Sequence, residues 1–238
     1  MSLQRDTFLG ICMGGLAGYV DTLGFVALYG LFTAHVTGNF VLIGSELSHP
    51  SHGVLLIKFL AFPAFILGVV VARLLTVAQE ARGLRANWQV LGTQLLLLAG
   101  FMVAGLMAAS GVTAIDPQGS WALAAGMLGA MGMGVQNAAA KLQFSQLAPT
   151  TVMTGNVTQL VIDLVDIARG AGSPGVKARC VKFFWPVVAF GLGASAGAFA
   201  YVNVGFWGLL APLAVLVVMM SGESRSEPLP APAPAAAT

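Results

Sequence analysis

The chain alternates long apolar stretches with short polar ones at the spacing of membrane-crossing helices. Runs from Phe8 to Leu31, Val54 to Val77, Trp88 to Ser110, Trp121 to Leu142, Val181 to Val202 and Phe206 to Met220 carry almost no charge. Five of the six exceed 20 residues, enough at ~1.5 Å per residue to cross about 30 Å of hydrocarbon. The sixth has 15 and needs flanking positions to reach across. Two further apolar segments, Thr37 to Leu47 and Thr154 to Ile167, suit helices but are short, about 16 Å and 21 Å long. The pattern predicts an all-α polytopic membrane protein of six transmembrane helices plus two short half-helices.

Both short segments open on the same string, Thr37-Gly38-Asn39 and Thr154-Gly155-Asn156. Upstream, Gly18 to Asp21 occupies the place that Gly134 to Asn137 holds in the second copy, so Asp21 pairs with Asn137. Downstream, Phe62-Pro63 followed by Gly68 matches Trp185-Pro186 followed by Gly191. A fixed order of matching features marks a duplicated unit. The division it suggests is a first membrane repeat over 1–115, a second over 116–222, and a Pro/Ala-rich disordered tail over 223–238.

Charge decides the topology. If both short segments crossed, the loop holding Arg73, Arg82 and Arg85 and the one holding Arg169, Lys177, Arg179 and Lys182 would face opposite sides, against the positive-inside rule. If neither crosses, both loops are cytoplasmic with Arg5, Lys141 and the two termini. The exterior keeps Asp116, Glu46, His49, His52 and, as a basic exception, Lys58. Three crossings per repeat is an odd number, so the two repeats must be inverted relative to each other. The first half-helix then dips in from outside and the second from the cytoplasm. An extended stretch from Phe32 to Val36 would return the chain about 16 Å into the bilayer, and the two helix starts would meet near the midplane around a polar cavity.

Composition fixes the solvent and removes several classes of function. With 57% apolar and 8% charged residues and a mean hydropathy of +0.86, the chain lacks the polar surface of a water-soluble domain. A net charge of +2 does not suggest a nucleic-acid partner. Cys12 and Cys180 are far apart in apolar settings and read as core thiols. His49 and His52 around Pro50 lack further ligands, so no metal and no cofactor is expected. Nothing assembles a Ser/His, Cys/His or metal constellation, and the chain is not expected to be an enzyme. Arg5 ahead of an apolar run imitates a signal peptide, but Asp21 interrupts that run and the segment is read as a retained first helix.

Asp21 is the most costly residue, since an ionised carboxylate inside a span needs a partner. It is either a proton-coupling or solute-contacting carboxylate, with His35 as a candidate proton partner, or a protonated carboxyl that caps a helix break near Gly24. At the half-helix starts, Thr37 and Thr154 would cap, and Gly38 and Gly155 would admit close backbone approach. Asn39, Asn156, Gln136 and Asn137 would orient a solute by hydrogen bonds. Free N–H groups at helix starts favour an anion or an electron-rich polar solute; the plainer alternative is a pair of helix starts capped against their neighbours. Asn156, Gln159, Asp163 and Asp166 share one helical face, either a hydrophilic path or an amphipathic helix paired with Arg169 or Lys177. Gly10, Gly14 and Gly18, Gly126 and Gly134 with Ala130, and Gly193 and Gly197 read as helix-packing faces. Pro63 and Pro186 should kink their spans.

Gly18 to Asp21 with Gly24-Phe25, Thr37 to Asn39, Gln136 to Ala138, Thr150-Thr151 and Thr154 to Asn156 together resemble the paired signatures of the YoaK-like family of bacterial inner-membrane proteins. The resemblance extends to about Met220 and implies a multi-pass protein of the bacterial inner membrane. It supplies no substrate and no reaction. From the residues, the expectation is a small secondary transporter or permease of a small polar or anionic solute, with proton coupling as an option. A passive channel and a non-transporting membrane assembly protein stand as alternatives. The expected partners are the lipid bilayer, the solute and, as an open option, further copies of the chain in a homo-oligomer.

Overall fold

The structure, a computed structural model, describes residues 2–48, 54–112 and 114–229. His49, Pro50 and His52 of the expected external loop, and the tail beyond Leu229, lie outside them. The described chain is all helical: α1 Ser2–Ala27, α2 Val36–Ser48, α3 Leu55–Glu80, α4 Asn87–Ala109, α5 Ser120–Leu142, α6 Met153–Ala168, α7 Pro174–Val204, a 3-10 turn Gly205–Leu209 and α8 Leu210–Ser221. Every apolar run and both short segments have become helices. Among the described residues, four stretches are long and apolar enough to cross a membrane: Gln4–Ala27, Leu55–Glu80, Asn87–Ala109 and the 48-residue Pro174–Ser221. The last is not one rod. Gly205, at φ 60°, breaks it; Tyr19 Oη donates to the Gly208 carbonyl in the turn at 2.8 Å, and α8 then packs on α4 and α1. α5 is as long as α4 but richer in glycine and alanine and carries Gln136 and Asn137.

α1 stops at Ala27, four residues short of the expected end at Leu31. Leu28 to Leu31 are apolar, but Tyr29 and Gly30 take positive φ of 55° and 78°, and the Gly30 N–H returns to the Phe25 carbonyl at 2.8 Å. This is a left-handed helix ending, which glycine tolerates and which turns the chain back on itself.

α1 packs along α7, while α5 packs along α3 and α4; α2 rests on α3 and α6 on α7. Glycine makes the first two contacts possible. A Cβ built on Gly18 would lie 2.2 Å from the Phe190 carbonyl oxygen, and one on Gly134 would lie 2.3 Å from that of Phe65. In the reverse direction, Gly68 would strike the Met131 carbonyl and Gly193 the Gly15 carbonyl, both at 2.1 Å. These are the same two contacts made twice, with α1 and α5 related by 116 positions and α3 and α7 by 125. The counterpart of Gly68 is therefore Gly193, not Gly191, which meets nothing within 4 Å. Pro63 and Pro186 are not equivalent positions, and both helices continue through them.

The helix ends sort into two groups. Arg5 at the start of α1, Thr76 and Glu80 at the end of α3, Asn87 at the start of α4, Gln143 after α5 and Glu223 after α8 surround a cavity of about 440 Å³. The start of α7, with Gly175 and Arg179, lies at that end too, beside Asp6 and Thr7 around a second cavity of about 350 Å³. At the opposite end, Ala27, Ala109, Val112 and Tyr201 line a cavity of about 330 Å³. α3 therefore ends where α7 begins, and α1 begins where α5 ends. The segment expected to be disordered from Glu223 is instead fixed as far as Leu229. Arg85 N–H donates to the Glu227 carbonyl at 2.8 Å, Leu229 N–H donates to the Gly83 carbonyl at 2.9 Å, and the Arg225 guanidinium sits 4.3 Å above the Trp88 ring.

Candidate functional site

After α1 the chain re-enters the bundle and is received by Asp21, six residues before the helix end, about 9 Å along its axis. Asp21 is buried. Its Oδ1 accepts the Ala34 N–H at 2.6 Å and the Thr33 hydroxyl at 3.3 Å, and its Oδ2 lies 2.6 Å from His35 Nδ1. α1 runs unbroken through Gly24, so the carboxylate caps the incoming loop and not a break in its own helix. Asn39 then closes the loop with both ends of its amide: it accepts the Phe32 N–H at 2.9 Å and donates to the Phe32 carbonyl at 2.8 Å.

The second loop repeats this arrangement with different chemistry. Asn137 Nδ2 donates to Thr151 Oγ1 at 2.6 Å, in the place where Asp21 receives residue 34. Asn156 Nδ2 donates to the Pro149 carbonyl at 2.6 Å, as Asn39 does to Phe32. Proline has no N–H to return, and Asn156 Oδ1 is left buried without a partner. Since a net hydrogen bond contributes about 1 kcal/mol, Asn39→Ala is expected to lower stability by about 1 kcal/mol more than Asn156→Ala. Paired denaturation midpoints check this, and equal losses would show that the second bond of Asn39 contributes nothing.

Gln136 does not face the second loop alone. Its Nε2 donates to the Met13 carbonyl at 2.8 Å and reaches Thr150 Oγ1 at 3.5 Å, while its Oε1 accepts from Gln94 Nε2 at 2.7 Å. Gln94 lies outside the duplicated motifs. Its signal is its spacing: Asn87 and Gln94, seven apart, put two amides on the buried face of α4.

The expected site residues therefore form two clusters, not one midplane site. Asp21 and Asn39 hold one loop; Gln136, Asn137 and Asn156 hold the other. Met13, which Gln136 contacts, precedes Asp21 by eight residues, about 12 Å along α1. Thr37, Thr154 and Gly155 face outward and Gly38 is half-buried. α6 begins after Val152 with no side-chain cap, so Thr154 does not cap it. Gly38 packs on the Phe32 ring, 3.0 Å from where a Cβ would sit, whereas Gly155 faces open space.

Two ion pairs hold the half-helices in place, and sequence inspection missed both. Glu46 near the end of α2 bonds Lys58 near the start of α3. Asp163 in α6 is bonded by Arg179 of α7 through Nε at 2.9 and 3.1 Å and Nη2 at 2.6 Å, with Gln159 donating at 2.9 Å. Both acids stand nine residues after the Thr of Thr-Gly-Asn. An acid late in a helix opposes the helix dipole; here each has a cation from the next helix, Arg179 in place of the expected Arg169 or Lys177. Asp163 is fully buried, so the polar stripe of α6 is an attachment face and not an open path. The other faces of the half-helices are apolar and exposed: Phe40, Val41 and Leu47 on α2, and Val157, Val161, Ile162, Leu164 and Val165 on α6.

Several long apolar helices with exposed apolar outer faces mark a helical membrane protein. Residues 9–222 match the family described as protein of unknown function (DUF1275), and the chain belongs to that family. It is similar to the UPF0700 transmembrane protein YoaK of Bacillus subtilis (strain 168), with 30% identity over 161 residues, 67% of this chain and 67% of that one. No solved structure matches the chain.

Proposed function

We propose that the protein is a small secondary transporter or permease of a small polar or anionic solute, in the inner membrane of a bacterium. Its six crossings would be α1, α3, α4, α5, α7 and α8, arranged as two inverted three-span repeats with both termini in the cytoplasm. The observation that carries this reading is the mirrored pair of re-entrant loops. Non-helical backbone at membrane depth is tolerated where protein buries it or where it borders a polar cavity. The loops that follow α1 and α5 enter from opposite ends of the bundle and are held by matching side chains at 21 and 137 and at 39 and 156, which supports that reading. Inverted repeats with interrupted helices are the construction that lets one half rock against the other around a site. The cavities at both ends, with packed helices between them, fit a closed state of such a cycle.

Asp21 and His35 supply a titratable pair in the first loop, where the second has Asn137 and Val152. Proton coupling therefore belongs to the first loop. A thermal-shift screen of purified protein against small anions, amino acids and sugars at two pH values identifies the solute, since a specific ligand raises apparent stability. With that solute in proteoliposomes, Asp21→Asn is expected to remain folded and lose at least ~10-fold of the uptake driven by a pH gradient. Normal uptake with unaltered pH dependence would remove the coupling role. Non-saturating flux indifferent to a pH gradient would make the protein a passive channel, and a stable complex with one partner but no solute-dependent stabilisation would make it an assembly protein.

A further inference from the structure

The 440 Å³ cavity at the Arg5 end is walled by Arg5, Arg85, Asn87, Thr76 and Gln143 together with the carboxylates of Asp6, Glu80 and Glu223. Within it, Glu223 is held as a bound carboxylate would be. Arg5 Nη2 donates to one carboxylate oxygen at 2.6 Å and Asn87 Nδ2 to the other at 2.8 Å. The Glu223 side chain is 1% exposed, though it lies beyond the end of α8. A carboxylate is not buried without donors waiting for it, and a guanidinium with an amide is a strong, directional pair for two carboxylate oxygens.

The segment that carries Glu223 is attached by contacts of a reversible kind. Glu227 and Arg85 approach to 3.4 Å with both side chains partly exposed, Arg225 stacks on Trp88, and a single bridge joins Leu84 to Pro228. The first two are weak at a surface, and the bridge consists of two backbone hydrogen bonds, from Arg85 N–H to the Glu227 carbonyl and from Leu229 N–H to the Gly83 carbonyl; together they keep Glu223 at high local concentration. Deeper in the wall, Gln143 Nε2 is used by Thr76 at 2.7 Å, while Gln143 Oε1 is buried without a partner, an acceptor free for an O–H or N–H of a bound molecule. The cavity at the opposite end, between Val26, Tyr29, Ile115 and Tyr201, has no charged side chain among its described lining residues.

We propose that Arg5 and Asn87 form a receptor for the carboxylate of a small organic anion at this mouth of the bundle, and that Glu223 occupies it as a tethered stand-in. The inference names a solute class for the permease reading and rests on that reading for its role, but its test measures binding and not transport. Glu223→Ala vacates the receptor while leaving Arg5 and Asn87 in place. Acetate at ~50 mM is expected to raise the Tm of purified Glu223→Ala by about 3 °C, and acetamide, which has the same shape without the charge, is expected to leave it unchanged. The shift should be absent in the unsubstituted protein, whose receptor is filled, and in Glu223→Ala/Arg5→Met. Glu223→Ser, whose short side chain also vacates the receptor, serves the same comparison if the alanine variant does not fold. Equal shifts with acetate and acetamide, a shift that survives loss of Arg5, or no shift in either Glu223 variant would overturn the proposal. Acetate binding in a protein that moves no solute across liposomes would sink the permease reading alone; transport with no acetate binding would sink the receptor alone.

Discussion

Gly193→Ala is expected to lower stability by about 3 kcal/mol, or to prevent accumulation of folded protein, while Gly191→Ala two residues away changes nothing measurable. A methyl group at 193 would need to sit 2.1 Å from the Gly15 carbonyl oxygen, and the atom that must yield is backbone, not a flexible side-chain tip. Relief requires moving α7 off α1, along a line where Gly18 and Gly197 also depend on contact with the facing backbone. Gly191 has no atom within 4 Å to displace. For a chain of this size the loss corresponds to a Tm lower by about 10 °C, read by thermal unfolding in detergent. Gly68→Ala should match Gly193→Ala, because the two occupy the same place in the two halves. If Gly191→Ala were the damaging change, the relation of α3 to α7 by 125 positions would be wrong.

Lys58→Met should be nearly as costly, by about 3 kcal/mol. The lysine is 3% exposed and Glu46 faces it from α2, so removing the cation leaves a carboxylate in an apolar setting with no partner. The loss is expected to come from the stranded charge more than from the missing attraction. Glu46→Gln/Lys58→Met should therefore regain most of the stability, and a double-mutant cycle on Tm separates the two contributions. If the double variant is as damaged as Lys58→Met, the lysine acts through packing and the ion pair is incidental. Asp163→Asn should act in the same direction on α6, releasing it from α7, with a smaller effect because Arg179 is 45% exposed and can turn to solvent.

The helices were legible because the apolar runs are long and separated by charge, and the half-helices because Thr-Gly-Asn recurs. Asp21 was legible as a residue that must have a partner, and the His35 contact follows from the loop that Asp21 receives. What escaped depends on contacts between segments distant in sequence. The end of α1 was hidden by apolar residues up to Leu31, and the left-handed turn at Tyr29 and Gly30 carries little sequence signal beyond one glycine. The Pro-to-Gly spacing matched Gly68 to Gly191 by coincidence; the carbonyls of Met131 and Gly15 identify Gly193. Asn39 and Asn156 share a motif but not a full bonding pattern, because the residue seven positions back is Phe32 in one loop and Pro149 in the other. The two ion pairs join residues 12 and 16 positions apart across a helix end, a separation that no helical periodicity reveals. Glu223 was assigned to a tail by the Pro/Ala-rich composition that follows it, although its own side chain belongs to the bundle.

The opposed entry of the two half-helices is the central claim, and the sidedness of their ends tests it most directly. In a Cys12→Ser/Cys180→Ser background, a single cysteine replaces Ser48 at the end of α2 or Ala171 just beyond α6. Each variant is treated with a membrane-impermeant maleimide in right-side-out and in inverted vesicles. Ser48→Cys is predicted to react from outside and Ala171→Cys from the cytoplasmic face. Reaction of both from the same face would contradict the inverted arrangement.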